Sequence, residues 1–278
     1  MLDRLRRDAA LAAIEDLGFF NSVRWLEEID STNRSLAREL KSDASIPLPA
    51  LLVADRQHAG IGRGKNAWWS PTGCLMFSIA VPWPNVHPDL AKLPLRVGLA
   101  VAQALAPKTV SQPKVKWPND VYIDDRKVAG ILIESSSHRC HGQLQDVSII
   151  GIGINCCVDL GSAPDEIRST AISLHEVARF KDSGSTVPES TTPESVLLSV
   201  LLQWLEAEQQ AIAEPQSLME VWPEWSWLDG KWVEVTTGGS VLVGLAKGID
   251  AQGALIVEDR FGRSHTILSA TVRTLNYT

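Results

Sequence analysis

The stretch KVKWPNDVYIDDRKVAGILIES, residues 114–135, decides the fold. Two strand-like runs, Val121-Tyr122-Ile123 and Lys127 to Glu134, meet at a turn over Asp124-Asp125-Arg126, so they read as an antiparallel hairpin. Upstream lie two more apolar runs, LLVAD (51–55) and CLMFSIAVPW (74–83), then LPLRVGLAVAQAL (93–105), which has helical spacing. Downstream lies DVSIIGIGINCC (146–157), whose two alternating faces are both apolar, the mark of a central strand. Strands alternating with helices, with a hairpin among them, predict a mixed or antiparallel sheet and an α+β domain.

Farther out, residues 2–17 place Leu2, Leu5, Ala9, Ala12 and Leu17 on one helical face. Asp30-Ser31-Thr32-Asn33 is a cap-rich opening to the helix SLARELK. Residues 181–192 (KDSGSTVPESTT) form a polar connection, and Thr192-Pro193 starts a long helix through Ala213. A Trp-dense segment, VWPEWSWLDGKW (221–232), leads into five short strand candidates: WVEVTT, VLVGLAKGID, ALIVED, HTILS and TVRTL. These read as a small β-barrel of about 50 residues. The expected division is a helical lead-in at 1–24, a catalytic domain at 25–227 and the barrel at 228–278.

With 278 residues, 45% of them hydrophobic and 21% charged, the chain can bury a large core. A net charge of −7 disfavours broad binding to DNA or RNA, which rests on phosphate neutralisation. No apolar run approaches the ~18 residues of a membrane span. The start, MLDRLRRDAALAAIEDLGFF, is charged throughout and is no secretory signal, so a cytoplasmic protein is expected. Cys74, Cys140, Cys156 and Cys157 fit no paired metal spacing and read as free thiols; His138, Cys140 and His141 read as a surface loop rather than a zinc site.

Three motifs carry chemistry. In Gln57-His58-Ala59-Gly60-Ile61-Gly62-Arg63-Gly64-Lys65, alternating glycines and two cations suit a loop around an anion. It is not a P-loop, since position 59 is Ala and position 66 is Asn, nor a dinucleotide fingerprint, since position 65 is Lys. An ordinary surface turn is the competing reading. In the hairpin, Lys127 could be a solvated edge residue, but Gly130 beside it permits a ligand to approach the backbone. In Gly151-Ile152-Gly153-Ile154-Asn155, alternating glycines leave a flat groove where a ring could lie, with Asn155 at its end; close sheet packing is the alternative.

Taken in order, DSTN (30–33), Q-x-A-G-x-G-R-G-x-N-x-W-W-S-P (57–71), KWPND (116–120), KVAGILIE (127–134), GIGIN (151–155) and GLAKGIDAQGAL (244–255) resemble the biotin protein ligases. The resemblance spans about Trp25 to Leu275 and is specific as a set. It implies a class II aminoacyl-tRNA synthetase-like mixed sheet with flanking helices and a C-terminal SH3-like barrel. It also implies a two-step reaction: biotin and ATP, with a magnesium ion (Mg2+), give biotinyl-5'-AMP, and biotin then passes to one lysine of a biotin carboxyl carrier domain, as in acetyl-CoA carboxylase.

By the same resemblance Ser31, Thr32, Asn33 and Gln57 contact biotin. Ile61, Gly62 and Arg63 belong to the loop closing on the ligand, and Lys127 touches both the biotin carboxylate and the α-phosphate. Gly60, Gly62, Gly64, Trp68, Lys116, Asn119 and Asn155 fall on the adenylate side, and Arg63 and Lys127 are the catalytic candidates. The family usually has Arg where Ile61 stands, which removes one side-chain contact. The N-terminal repressor module of some members is not expected here, so no DNA partner is implied; a homodimer through an open sheet edge stays possible. A lipoate-protein ligase and a non-catalytic biotin-binding or carrier-docking protein are the alternatives. Trp68, Trp69 and Trp117 fall in ligand motifs, whereas Trp222, Trp225, Trp227 and Trp232 are expected to staple the barrel to the catalytic domain. Trp25, Trp83 and Trp204 receive no role.

Overall fold

A computed structural model describes residues 2–42, 46–82, 91–140, 143–178, 188–213 and 217–275. The strands are β1 (Ser22–Ile29), β2 (Ala50–Gln57), β3 (Cys74–Pro82), β4 (Lys114–Lys116), β5 (Asp120–Ile123), β6 (Arg126–Cys140), β7 (Gln143–Asn155), β8 (Trp232–Thr237), β9 (Ser240–Ile249), β10 (Leu255–Asp259), β11 (Ser264–Ile267) and β12 (Thr271–Thr274). The helices are α1 (Leu2–Asp16), α2 (Thr32–Ser42), α3 (Leu93–Leu105), two single turns α4 (Asp165–Arg168) and α5 (Leu174–Val177), α6 (Pro193–Ala213) and α7 (Ser217–Trp225).

The hairpin at 124–125 forms as read. Asp124 and Asp125 both have positive φ, 48° and 61°, as a tight two-residue turn between twisted strands requires. It extends a seven-stranded sheet of order β1-β2-β3-β7-β6-β5-β4, in which β1 and β2 are parallel and every other pair is antiparallel. The architecture is therefore mixed α/β with a large mixed sheet and a separate C-terminal antiparallel sheet. Strand β1 has no counterpart in the sequence reading: most of its residues are half-buried, so no clean alternation marks it.

Alternation along the central strands sorts the two faces. On β7, Ile150, Ile152 and Ile154 join Leu51, Val53, Phe77 and Ile79 in a core that also takes residues of α3 and α6. On the other face Val147 and Ile149 pack with Leu36 and Leu40 of α2, together with Ala50, Leu52 and Ala80. Toward the N-terminus of α2 that face continues as Gly151, Gly153 and Asn155, with Asn33 of α2 over Gly151 and Trp68 over Gly153. Helix α6 begins as expected at Pro193, with Ser195 N donating to Thr192 Oγ1 at 3.5 Å.

All five C-terminal strand candidates form one antiparallel sheet of order β11-β10-β9-β8-β12. Its attachment uses tryptophan, as expected for Trp222 and Trp227. Trp222 is buried in the main core, and the Trp227 ring lies against Tyr122 (4.8 Å between centroids) while its Nε1 donates to Asp125 Oδ1 at 2.8 Å. Trp117 also joins the two sheets: it is buried and its Nε1 donates to Gly253 O at 3.0 Å. Trp204 is core, edge-on to Phe19, and Trp25 Nε1 donates to Asp55 Oδ1 at 2.6 Å.

Cys74 and Cys156 are buried free thiols and Cys157 is a half-buried one. His138 is not in a surface loop as expected: it lies in β6, buried, with Nδ1 3.2 Å from Leu40 O, and is a packing histidine. Trp83, His141, the side chain of Cys140 and most of the polar connection before Pro188 lie outside the described residues. Among those described, no helix is long and apolar enough to cross a membrane.

The two staples differ in burial, which sets an expectation. Trp222→Ala leaves a cavity in the core and should cost ~3–5 kcal/mol, whereas Trp227→Ala, at a half-exposed site, should cost ~1–2 kcal/mol. Urea unfolding of the two variants measures the difference, and equal losses would contradict this placement.

Candidate active site

The floor of the candidate site is made of absent side chains. Gly130 of β6 pairs directly with Gly153 of β7, and Gly151 pairs with Leu132. A β-carbon at Gly153 would lie 2.5 Å from Trp68 Cε2, one at Gly130 would lie 3.1 Å from Trp68 Cζ3, and one at Gly151 would lie 2.2 Å from Asn33 Oδ1. These three glycines line a small cleft, but the indole of Trp68 and the amide of Asn33 lie directly on Gly153 and Gly151, so the close packing that was the alternative reading holds over part of the floor. The cleft opens between that indole and that amide, lined by residues of β6 and β7, the start of α2 and the 57–68 loop.

Helix α2 supplies one wall. Its N-terminus meets Gln57 at the end of β2: Thr32 N donates to Gln57 Oε1 at 2.7 Å, and Thr32 Oγ1 lies 3.2 Å from the same oxygen. This satisfies one of the free N–H groups that any helix start presents. Asp30, just before the helix, is clamped by Arg38, whose hydrogen bonds hold its carboxyl at about 2. Asn33 is buried and committed at both ends: its Oδ1 accepts from Ser78 Oγ at 2.6 Å, and its Nδ2 donates to Glu134 Oε2 at 2.8 Å. Ser31, Thr32, Asn33 and Gln57 all line the cleft.

A register shift in the hairpin supplies the lysine. Val121 pairs with Ala129, but Tyr122 pairs with Lys127, so Val128 is an extra residue and the strand carries a β-bulge. Val128 and Ala129 both face the core, and Lys127 is thereby turned to the same face as Gly130. Without the bulge, strict alternation would put residues 127 and 130 on opposite faces. The backbone of Lys127 is fixed by Thr170 O, which accepts from its N–H, and by Ile172 N, which donates to its carbonyl. Its Nζ forms an ion pair with Asp120 Oδ1 at 2.6 Å and lies 5.5 Å from the centre of the Trp68 ring.

The 60–68 loop supplies the second cation. Ile61 bridges to Ala67 and Gly62 N donates to Asn66 O, so the loop is a narrow hairpin with Arg63 near its tip. Gly64 turns at φ +70°, a conformation other residues rarely adopt, and a side chain at Gly60 would collide with Trp68 O at 2.6 Å. These two glycines therefore shape the loop, while Ile61, Gly62 and Arg63 line the cleft. The Arg63 guanidinium donates to Ala270 O at 2.8 Å and to Ser269 Oγ, both in the turn before β12.

Asn155 closes a second hollow next to the cleft, with Trp68, Trp69, Lys127 and Thr170 around it; its Nδ2 donates to Ile172 O at 3.2 Å. Asn119 is tied to β6 by Nδ2 donating to Ile131 O at 2.7 Å and borders the cleft. Lys116 is not brought into it. Its ammonium lies 3.1 Å from Tyr122 Oη and 5.3 Å from the Trp227 ring centre, and burial there pushes its pKa down. Sequence reasoning missed Asp120, Ser78 and Glu134 as members of this network. A lone Ser in the run CLMFSIAVP was the available signal for Ser78; the Asp120–Lys127 pair depends on the bulge and leaves none.

Two cations thus border one cleft of mostly apolar lining, beside a polar helix start and an aromatic wall. Such a site suits a small molecule with an apolar body and an anionic end. Comparison with known proteins agrees with this chemistry. The profile of the biotin/lipoate A/B protein ligase family matches residues 25–155, and that of the biotin protein ligase C terminal domain matches 230–272. The chain is 32% identical over 247 residues to the bifunctional ligase/repressor BirA of Escherichia coli, covering 85% of this chain and 69% of that protein. It is 31% identical over 271 residues to the biotin--[acetyl-CoA-carboxylase] ligase of Mycobacterium tuberculosis, covering 92% of each. The solved biotin protein ligase of Aquifex aeolicus in complex with biotin and ATP superposes with a TM-score of 0.75 at 30% identity, over 92% of this chain and 100% of that one. The chain belongs to the biotin/lipoate A/B protein ligase family, on its biotin protein ligase branch.

Proposed function

We propose that this protein activates biotin with ATP to biotinyl-5'-AMP and transfers the biotinyl group to a lysine of a biotin carboxyl carrier domain, as in acetyl-CoA carboxylase. The observation that carries this reading is the placing of Lys127 and Arg63 on the border of one cleft with a glycine floor. The C-terminal domain match at 230–272 and the relatives named as biotin ligases favour biotin over lipoate.

A carboxylate is a poor acyl donor, and its attack on the α-phosphorus of ATP brings two anions together. Lys127, held by Asp120, and Arg63 supply the positive charge that lowers this repulsion and stabilises the charge building in the transition state. Pyrophosphate leaves and a mixed anhydride remains. The carrier lysine amine then attacks the acyl carbon, AMP departs and an amide forms. Ser31, Thr32, Asn33 and Gln57 serve as polar contacts for biotin, with Asn33 anchored to Ser78 and Glu134. Trp68 and Asn155 flank the adenylate end. Magnesium would come with the triphosphate, whose charge it would help to neutralise.

The finer architecture follows the same reading: a class II aminoacyl-tRNA synthetase-like sheet, an SH3-like barrel, and domains at 1–24, 25–227 and 228–278. The end of α7 at Trp225 and the profile match beginning at residue 230 support the second boundary. A cytoplasmic location fits the free thiols Cys74, Cys156 and Cys157, because reduced cysteines are ordinary in a reducing compartment.

Exchange of labelled pyrophosphate into ATP tests the function: it should require biotin and be absent with lipoate. Exchange with lipoate alone, or with neither acid, would overturn it. Lys127→Ala should lower the rate of biotinyl-AMP formation ~10²-fold or more, and a parental rate would remove the lysine from the chemistry. Arg63→Gly should release free biotinyl-AMP into solution, detectable by chromatography, since the loop then loses its hold on the adenylate.

A further inference from the structure

We infer that Ser269, in the turn between β11 and β12, is a positioning residue for Arg63, so that the C-terminal sheet is part of the active site; this rests on the function proposed above. Arg63 stands between Gly62 and Gly64 near the tip of a narrow loop, so neither chain neighbour offers a side chain for it to pack on. A long flexible side chain in that position loses considerable rotamer entropy when it is fixed on a ligand. The two hydrogen bonds of its guanidinium cross to the other sheet, one to Ala270 O and one to Ser269 Oγ.

That seat is rigid. Ala270 is buried in the main core, Thr237 Oγ1 donates to Ser269 O at 3.2 Å, and Thr271 then pairs with Thr236 of β8. Trp117, from the catalytic sheet, fixes the neighbouring β9–β10 turn through Gly253 O. The five N–H donors of a guanidinium leave some free after two are spent on the turn, and Arg63 borders the cleft that Lys127 also borders. The geometry holds the cation at the cleft margin before an anion reaches it, which is the pre-organisation that makes a charge effective on a transition state.

The test is retention of the intermediate. In the full-length protein, Ser269→Ala should raise the release of free biotinyl-AMP about 3- to 10-fold and raise the KM for biotin more than it lowers kcat, with an unchanged melting temperature. Ser269→Thr keeps the hydroxyl and should bring retention back towards the parent. Leu268→Ala, at a side chain 78% exposed in the same turn, should release no more than the parent. In an Arg63→Gly background, Ser269→Ala should add nothing. An unchanged release in Ser269→Ala, or an equal further increase on top of Arg63→Gly, would overturn the inference. Failure of the underlying function would show separately, as a parent protein without biotin-dependent pyrophosphate exchange.

Discussion

The site depends on three missing β-carbons. At Gly130, Gly151 and Gly153 the sheet is bare, and only because it is bare can the Trp68 indole and the Asn33 amide descend onto the backbone. Everything that borders the cleft is spaced from that floor: α2 by the Asn33 anchor to Ser78 and Glu134, the Arg63 loop by its closure through Trp68, and Lys127 by its neighbour Gly130. A strand interior normally gains from a side chain at such positions, so this stretch of sheet gives up local packing for access.

The second constraint is one of parity. A strand presents alternate residues to opposite faces, and Lys127 lies an odd number of positions from Gly130. The extra residue Val128 shifts the phase, letting two consecutive apolar side chains enter the core while the lysine comes over to the open face. The ion pair with Asp120 then fixes the ammonium, and two backbone hydrogen bonds to the 170–172 segment fix the strand itself.

Much of this was legible in the sequence. The hairpin at Asp124-Asp125, the helix over 93–105, the Thr192-Pro193 helix start and all five C-terminal strands form where pattern and turn residues place them. Most candidate contacts drawn from the family resemblance line the cleft; Asn155 lines the adjoining hollow, Gly60 and Gly64 only shape the loop, and Lys116 faces Tyr122 and Trp227. What stayed hidden was of another kind. Strand β1 is half-buried along most of its length and shows no period. Lys127's orientation depends on a bulge, which is a property of two paired strands rather than of one. Trp117 reads as a ligand residue from its motif, yet its indole N–H is taken by Gly253, more than a hundred residues away, and no local pattern announces such a contact.

The attachment of the C-terminal segment has a consequence for how the chain is made. Strand β4 is the last strand of the large sheet, and its outer edge is met by Ser226 and Trp227: Val115 bridges to Ser226, and Val115 O accepts from Trp227 N at 2.9 Å. On the ribosome, residue 115 emerges long before residue 227. During that interval the nascent sheet carries an unsealed border, open to mispairing with another growing chain. The distal tryptophan is thus the last stitch in the amino-terminal sheet, and vectorial synthesis leaves this sheet incomplete until the start of the C-terminal segment has left the exit tunnel.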